Sequence, residues 1–430
     1  MSLDSFFELK KHNTSPGIES MAGLTTFLTM AYITVVNPSI LASAGMDFGA
    51  VFVATCIAAA FGSIVMGLHG NYPIAQAPGM AQNAFFTFGV VLGMGNTWQT
   101  ALGAVFISGV IFVALSVSPV REWLVNAIPR NLKLGMAAGI GLFLGFIALK
   151  NAGIVVDHEA TLVALGDIVS FEPIVCMIGF VTIAALSARK ITGAVIIGTL
   201  LAACIGWLFG DIEFNGIVAM PPSPAPVFLQ LDIAAAFQLS MVTVVLSMLI
   251  VDVFDTAGTL IAVSTRANLL DENGKLPRLK KALLADSSAT VVGALAGTSS
   301  TTSYIESAAG VEAGGRTGLT AVVCGLLFLG CLFFAPLAQS VPAYATASAL
   351  LFVACLMARS LADLDWNDIT ESAPAVIAAI AMPLSFSIAE GIGLGFISYI
   401  LIKIISGRAR DCSIAAYVIA LIFGLKYMFL

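Results

Sequence analysis

Fourteen apolar stretches follow one another along the chain: 18–41, 49–68, 73–94, 97–117, 132–149, 171–188, 191–209, 239–263, 282–297, 300–315, 318–338, 343–358, 372–388 and 391–406. A helix crosses the roughly 30 Å hydrocarbon core of a bilayer with about 20 mostly apolar residues. A backbone in lipid must satisfy its own hydrogen bonds, so such stretches become helices. The expected fold is therefore an all-α polytopic membrane protein with fourteen spans. A further apolar stretch, 413–429, is short and carries Lys426, and it reads as a tail helix at the interface or a partial span.

Composition excludes the soluble alternatives. Charged residues are 10% of the 430, against about 25% in a typical globular domain, and hydrophobic residues are 59%. So few charges cannot supply a polar shell, which removes soluble enzymes, nucleic-acid binders and secreted disulfide scaffolds. Six of the seven cysteines lie in apolar runs and none forms a CxxC pair, so they read as small packing residues. The first 17 residues are polar, and no cleavable signal peptide is expected ahead of the first span.

Charge placement fixes the direction. With a cytoplasmic N-terminus, all but two (Lys150 and Lys426) of the 19 Lys and Arg residues fall on the inside, among them Arg121, Lys275, Lys280, Lys281 and Arg408. The outside loops are acidic, with Asp157, Glu159, Asp167, Asp211, Glu213 and Asp232. A wrong span count would scatter the cations over both faces. The expectation is a multi-pass protein of the cell inner (plasma) membrane with both N- and C-terminal flanks cytoplasmic.

Two spans are broken at matching positions. Span 3 opens with Pro73 and Pro78-Gly79 ahead of Gln82 and Asn83, which reads as extended chain until a helix starts near Gly79. Span 10 opens with the Ser/Thr run 298–303, whose side chains favour local backbone bonding over a helix interior. These spans lie seven apart. The Pro-led segments from Ala127 and Ser340, and those from Glu172 and Ser372, repeat at the same interval. Seven is odd, so the second copy would enter from the opposite face, as an inverted repeat. Broken spans at corresponding positions of two inverted halves point to the binding site of an alternating-access transporter.

The acids of the spans fit that reading. Asp252 and Asp255 in span 8 are spaced i,i+3 on one helix face, which Thr256 and Thr259 extend. A carboxylate at mid-bilayer costs roughly 2.5–3.5 kcal/mol on insertion scales, so Asp252, Asp255 and Glu306 of span 10 are functional candidates. They suit gripping N–H groups of a neutral polar substrate, and carrying a coupling proton. Asp252 has a structural alternative, bonding Thr or backbone groups of span 1. Asp286 and Glu312 lie nearer the cytoplasmic ends, where a role in helix termini or pairing with Arg316 or Lys281 is expected. Span 1 adds Thr25, Thr26 and Thr29 and is expected to end at Asn37-Pro38. Phe27, Phe85, Phe86 and Tyr304 offer aromatic faces for a planar ring. All three histidines lie outside the spans, so no His-based metal site is expected in the membrane.

The segments GLTTFLTMAYITVVNP, APGMAQNAFFTF, VDVFDTAGTL and GTSSTTSYIESAAGVEAGGRTGLTA resemble the nucleobase–cation symporter-2 superfamily, in its AzgA-like adenine/guanine/hypoxanthine permease branch. That resemblance implies fourteen spans in a seven-plus-seven inverted repeat, with short antiparallel strands in spans 3 and 10. It implies a core (transport) domain of 18–117 and 239–338, a gate (scaffold) domain of 118–209 and 343–406, and a tail, 413–430. It further implies proton-coupled purine import by an elevator movement, no cofactor, and frequent homodimers. By motif position, Asp255 and Glu306 form the acidic pair that grips the nucleobase, and Asp252 and Asn83 are essential. Thr259 stands where uracil-type members often carry His, and Glu306-Ser307 replaces the glutamine-asparagine motif of the xanthine/urate branch. Both departures favour 6-substituted purines. An anion carrier of the sulfate or bicarbonate type would share the fold, with two half-helix N-termini as its anion site. Three acids without a nearby cation speak against it. An intramembrane aspartyl protease needs a GxGD-type motif, which is missing, and sodium in place of protons stays open.

Overall fold

In the computed structural model, residues 3–118, 129–210, 212–271 and 276–429 are described. Arg121, Asp211, Lys275 and the stretch 119–128 of the expected gate domain lie outside them. The chain is mostly helical. The N-terminal half comprises α1 (Pro16–Met30), α2 (Ile33–Ala42), α3 (Phe48–Val65), strand β1 (Gln76–Pro78), α4 (Met80–Ala84), α5 (Trp98–Val117), α6 (Arg130–Asn151), a hairpin of β2 (Val155–His158) and β3 (Leu162–Leu165), α7 (Phe171–Ala188) and α8 (Ala194–Phe209). There follow α9 (Val242–Arg266), α10 (Leu279–Ala296), β4 (Thr301–Ser303), α11 (Ser307–Glu312), α12 (Gly318–Cys331), α13 (Ala343–Ala358), α14 (Ile369–Ser385), α15 (Ile388–Ile405) and α16 (Ile414–Phe429).

Each expected stretch meets one or more of these elements. Among the described residues, nine helices are long and apolar enough to cross a membrane unaided. The other five stretches fall short for visible reasons. Met80–Gly93, α8 and α14 have 10–17 residues, α10 carries Lys280, Lys281 and Asp286, and the tenth stretch is a strand with a six-residue helix. The hairpin β2–β3 on the surface after α6 was not legible beforehand.

The expected end of span 1 is corrected. The helix breaks at Ala31-Tyr32, while Asn37 and Pro38 lie inside α2. Proline removes one N–H, but neighbouring groups re-satisfy the freed backbone of a membrane helix, so it need not end one. Asn37 is a buried tie instead: its Nδ2 donates to Thr55 Oγ1 on α3 at 2.6 Å and to Thr298 Oγ1 ahead of β4 at 2.8 Å.

The helices associate in two groups. In one, α12 packs on α1 and α3, and α10 packs on α3 and α5. In the other, α6 packs on α13 and α14, while α7 packs on α8 and α13. Small residues let the backbones approach, as where Gly135 and Gly139 of α6 meet Ala375 and Ala379 of α14. Helix α9 touches α5, α11, β4 and α15, and so borders both groups. Helix α16 runs back along α15, with Phe423 and Tyr427 against Gly393 and Lys426 paired with Glu390 near the start of α15.

Candidate substrate site

The two segments read as extended chain are strands, and they pair. β1 and β4 are antiparallel, in the register Gln76 to Ser303, Ala77 to Thr302 and Pro78 to Thr301. Gly79 N–H donates to Ser300 O at 2.9 Å and Tyr304 N–H to Ala75 O at 3.0 Å, which extends the ladder at both ends. Pro78 cannot donate, but its carbonyl accepts the Tyr304 hydroxyl at 2.5 Å. Both strands are buried, as irregular backbone at membrane depth must be. Each gives way within a few residues to a helix, and the antiparallel register starts the two helices at opposite ends of the ladder, with Asn83 on α4 and Glu306 at the start of α11.

Helix α9 faces this crossing, touching β4, α4 and α11. Asp255 is solvent-accessible, with Glu306 and Gln82 as its polar neighbours. Glu306 is half-buried, and its Oε1 accepts the Tyr32 hydroxyl at 2.7 Å. Tyr304 lies beside both acids. Phe27 is partly buried in the same small cluster as Tyr304, edge-on to Phe328 at 5.2 Å between ring centroids. Asn83 is buried, accepting Ser299 Oγ with its carbonyl while its Nδ2 has no partner. Thr259 is buried one turn after Asp255.

Two of the expected residues serve packing. Phe85 is 2% exposed within the main apolar core, with its ring over Gly89, and offers little face to a ligand. Thr26 is buried against α11, where a Cβ on Gly310 would stand 2.0 Å from its Oγ1. Only glycine lets α1 and α11 approach this closely.

Asp252 is fully buried. Its Oδ2 accepts Thr290 Oγ1 of α10 at 3.0 Å, and its Oδ1 has no partner. The hydroxyl thus comes from α10 and not from span 1.

The expected place of Asp286 is corrected. It sits about 10 Å into α10, counted from Leu279 at 1.5 Å per residue, and is fully buried. Its Oδ1 accepts Gln76 Nε2 of β1 at 2.9 Å and Ser303 Oγ of β4 at 2.8 Å, and its Oδ2 accepts Thr256 Oγ1 of α9 at 2.6 Å. One carboxylate therefore ties both strands to α9, because its two oxygens can take several donors at once. The pairing expected of Glu312 is corrected too: it meets Arg266 at 3.4 Å, while Arg316 donates to Val311 O at 2.6 Å and Gly315 O at 2.7 Å. No described Lys or Arg forms an ion pair with Asp252, Asp255, Asp286 or Glu306.

Sequence reasoning missed Tyr32 and misplaced Asp286. The first sits at the break in span 1, a weak hint. The second is an acid inside a Ser/Ala/Thr-rich helix, where a buried carboxylate has donors at hand. An apolar groove of about 630 Å³ along α7, lined by Ile154, Pro173, Met177 and Val181, includes none of these acids.

A sequence profile described as a permease family matches residues 17–394. The chain belongs to this family, the nucleobase–cation symporter-2 permeases. It is 50% identical over 428 residues to the adenine permease AdeP of Escherichia coli (strain K12), a match covering 100% of this chain and 96% of that one. It is 44% identical over 432 residues to the guanine/hypoxanthine permease PbuO of Bacillus subtilis (strain 168), covering 99% and 100%. Among solved structures, the transmembrane domain of the cyanobacterial bicarbonate transporter BicA is similar in fold. Its TM-score is 0.67 at 17% identity, over 88% of this permease and 96% of that chain. The fold is thus that of a polytopic membrane transporter.

Proposed function

We propose that this permease imports purine nucleobases by proton symport. The observation that carries the reading is the strand crossing, which brings Glu306, Tyr304 and Gln82 beside Asp255 of α9 from three elements distant in sequence. The full-length likeness to permeases named for adenine and for guanine/hypoxanthine supports the substrate class. A purine presents N–H groups along its edges, which Asp255 and Glu306 accept, and a flat face that Tyr304 and Phe27 cover. Tyr32 orients the Glu306 carboxyl for that contact. Thr259, one turn from Asp255, bounds the ring. Asp252, Asp255 and Glu306 carry the coupling proton. An anion carrier would want a cation at the centre of the site, whereas the crossing gathers acids, and no described Lys or Arg is seen in an ion pair with them.

The movement proposed is an elevator. A core of 18–117 and 239–338 slides against a gate of 118–209 and 343–406, a division that the two helix groups support. Fourteen crossings in two inverted halves fit the placement of β1 after α3 and of β4 after α10. The protein would sit in the plasma membrane with its N-terminal flank in the cytoplasm, as a homodimer.

The test is Asp255→Asn in purified protein. A hydrogen bond to a charged group is worth about 1.5–3 kcal/mol, so adenine and hypoxanthine should bind about 10- to 150-fold more weakly. Binding at wild-type affinity, measured by titration calorimetry, would contradict the role.

A further inference from the structure

Gln82 is 2% exposed, yet neither Nε2 nor Oε1 of its amide has a hydrogen-bond partner. The other buried amides of the described residues are each held by at least one end. Gln76 is held by Asp286, Asn37 by Thr55 and Thr298, and Asn83 by Ser299. Asn71 is held by Phe7 O and Gly318 N–H, and Asn131 by Asp365 N–H. Gln82 differs in its place as well. Its side chain folds back over Gly79, where a Cβ would lie 2.1 Å from Oε1 and 2.9 Å from the Thr302 methyl. That is where β1 hands over to α4. The side chain faces Asp255, but neither amide atom meets the carboxylate in hydrogen-bonding geometry. Burying an unpartnered amide costs stability, so a residue kept this way calls for a partner that comes and goes.

We infer that Gln82 is a specificity-determining residue that reads the substituent at position 6 of the purine. The inference rests on the purine reading above. With Asp255 taking a ring N–H, the neighbouring amide meets the next group along the same edge. A 6-amino group needs an acceptor there, and a 6-oxo group needs a donor. A glutamine amide holds both, an oxygen and an NH₂, and turning it over exchanges them. Because no hydrogen bond of standard geometry holds either end of the amide, it can turn over beside Asp255, and one residue serves both kinds of purine. A ligand bare at position 6 leaves the amide unpaired in its buried site and is rejected for that reason.

The test compares wild type with Gln82→Met in nanodiscs, titrated with adenine, hypoxanthine and unsubstituted purine. Wild type should prefer both substituted ligands over bare purine by roughly tenfold, and the variant should lose that preference. The ligand-free variant should melt at or above the wild-type temperature. Equal weakening of all three ligands would mean that Gln82 only shapes the site, and an unchanged preference would mean that it reads nothing. Either result overturns the inference while leaving the purine reading intact. A wild-type protein that binds none of the three overturns both. Gln82→Leu provides the same comparison should the Met variant fail to fold.

Discussion

Glu306→Gln lowers concentrative purine uptake by at least about 100-fold while the protein still reaches the membrane in normal amounts. The amide keeps the shape of the side chain and an oxygen that can accept the Tyr32 hydroxyl, which the native carboxylate takes at 2.7 Å. The local fold should therefore survive. What the substitution removes is the charge proposed to grip a purine N–H and the group proposed to carry the proton. A charge-assisted bond is worth about 1.5–3 kcal/mol, or roughly 10- to 150-fold. Loss of the coupling proton adds to this, because a symporter without it does not concentrate its substrate. Labelled adenine uptake, set beside the amount of protein in the membrane fraction, provides the check. Uptake at the wild-type rate would remove Glu306 from the mechanism.

Asp286→Ala has the second large effect, on stability. The variant leaves Gln76 Nε2, Ser303 Oγ and Thr256 Oγ1 without their shared acceptor, all in a buried position. An unsatisfied buried donor costs about 1–3 kcal/mol. The three share one network and do not add fully, so the expected loss is about 3–5 kcal/mol. The melting temperature of detergent-solubilised protein should fall by roughly 10 °C, at about 2–4 °C per kcal/mol. Asp286→Asn keeps one acceptor oxygen and should fall less. An unchanged melting temperature for Asp286→Ala would show that the strands hold without this tie. The two variants separate the proposed roles: loss of uptake with an intact fold is expected of Glu306, and loss of stability is expected of Asp286, which ties both strands to α9.

The membrane character was legible because nothing but a bilayer tolerates so many apolar runs. The strands were legible because Pro78-Gly79 and the Ser/Thr run at 298–303 disfavour helix wherever they occur. Asp255 and Glu306 stood out as carboxyls in apolar surroundings. Asp286 did not, since Lys280 and Lys281 lie within a turn or two and made a surface role plausible. Its true partners come from β1, β4 and α9, and periodicity along one helix does not report contacts so distant in sequence. The Tyr32 contact spans 274 residues and is hidden for the same reason. Asn37-Pro38 was misread because the rule that proline ends helices comes from water, and packed membrane helices accommodate it. Phe85 shows the converse: an aromatic beside a site residue can belong wholly to the core.

The most direct measurement is uptake of labelled adenine, guanine and hypoxanthine by cells lacking their own purine permeases, with and without a protonophore. Saturable uptake of at least one purine that collapses when the proton gradient is dissipated is the predicted result. Uptake that ignores the protonophore and follows sodium would keep the substrate and contradict the coupling ion. No purine uptake from a well-expressed protein would contradict the account as a whole.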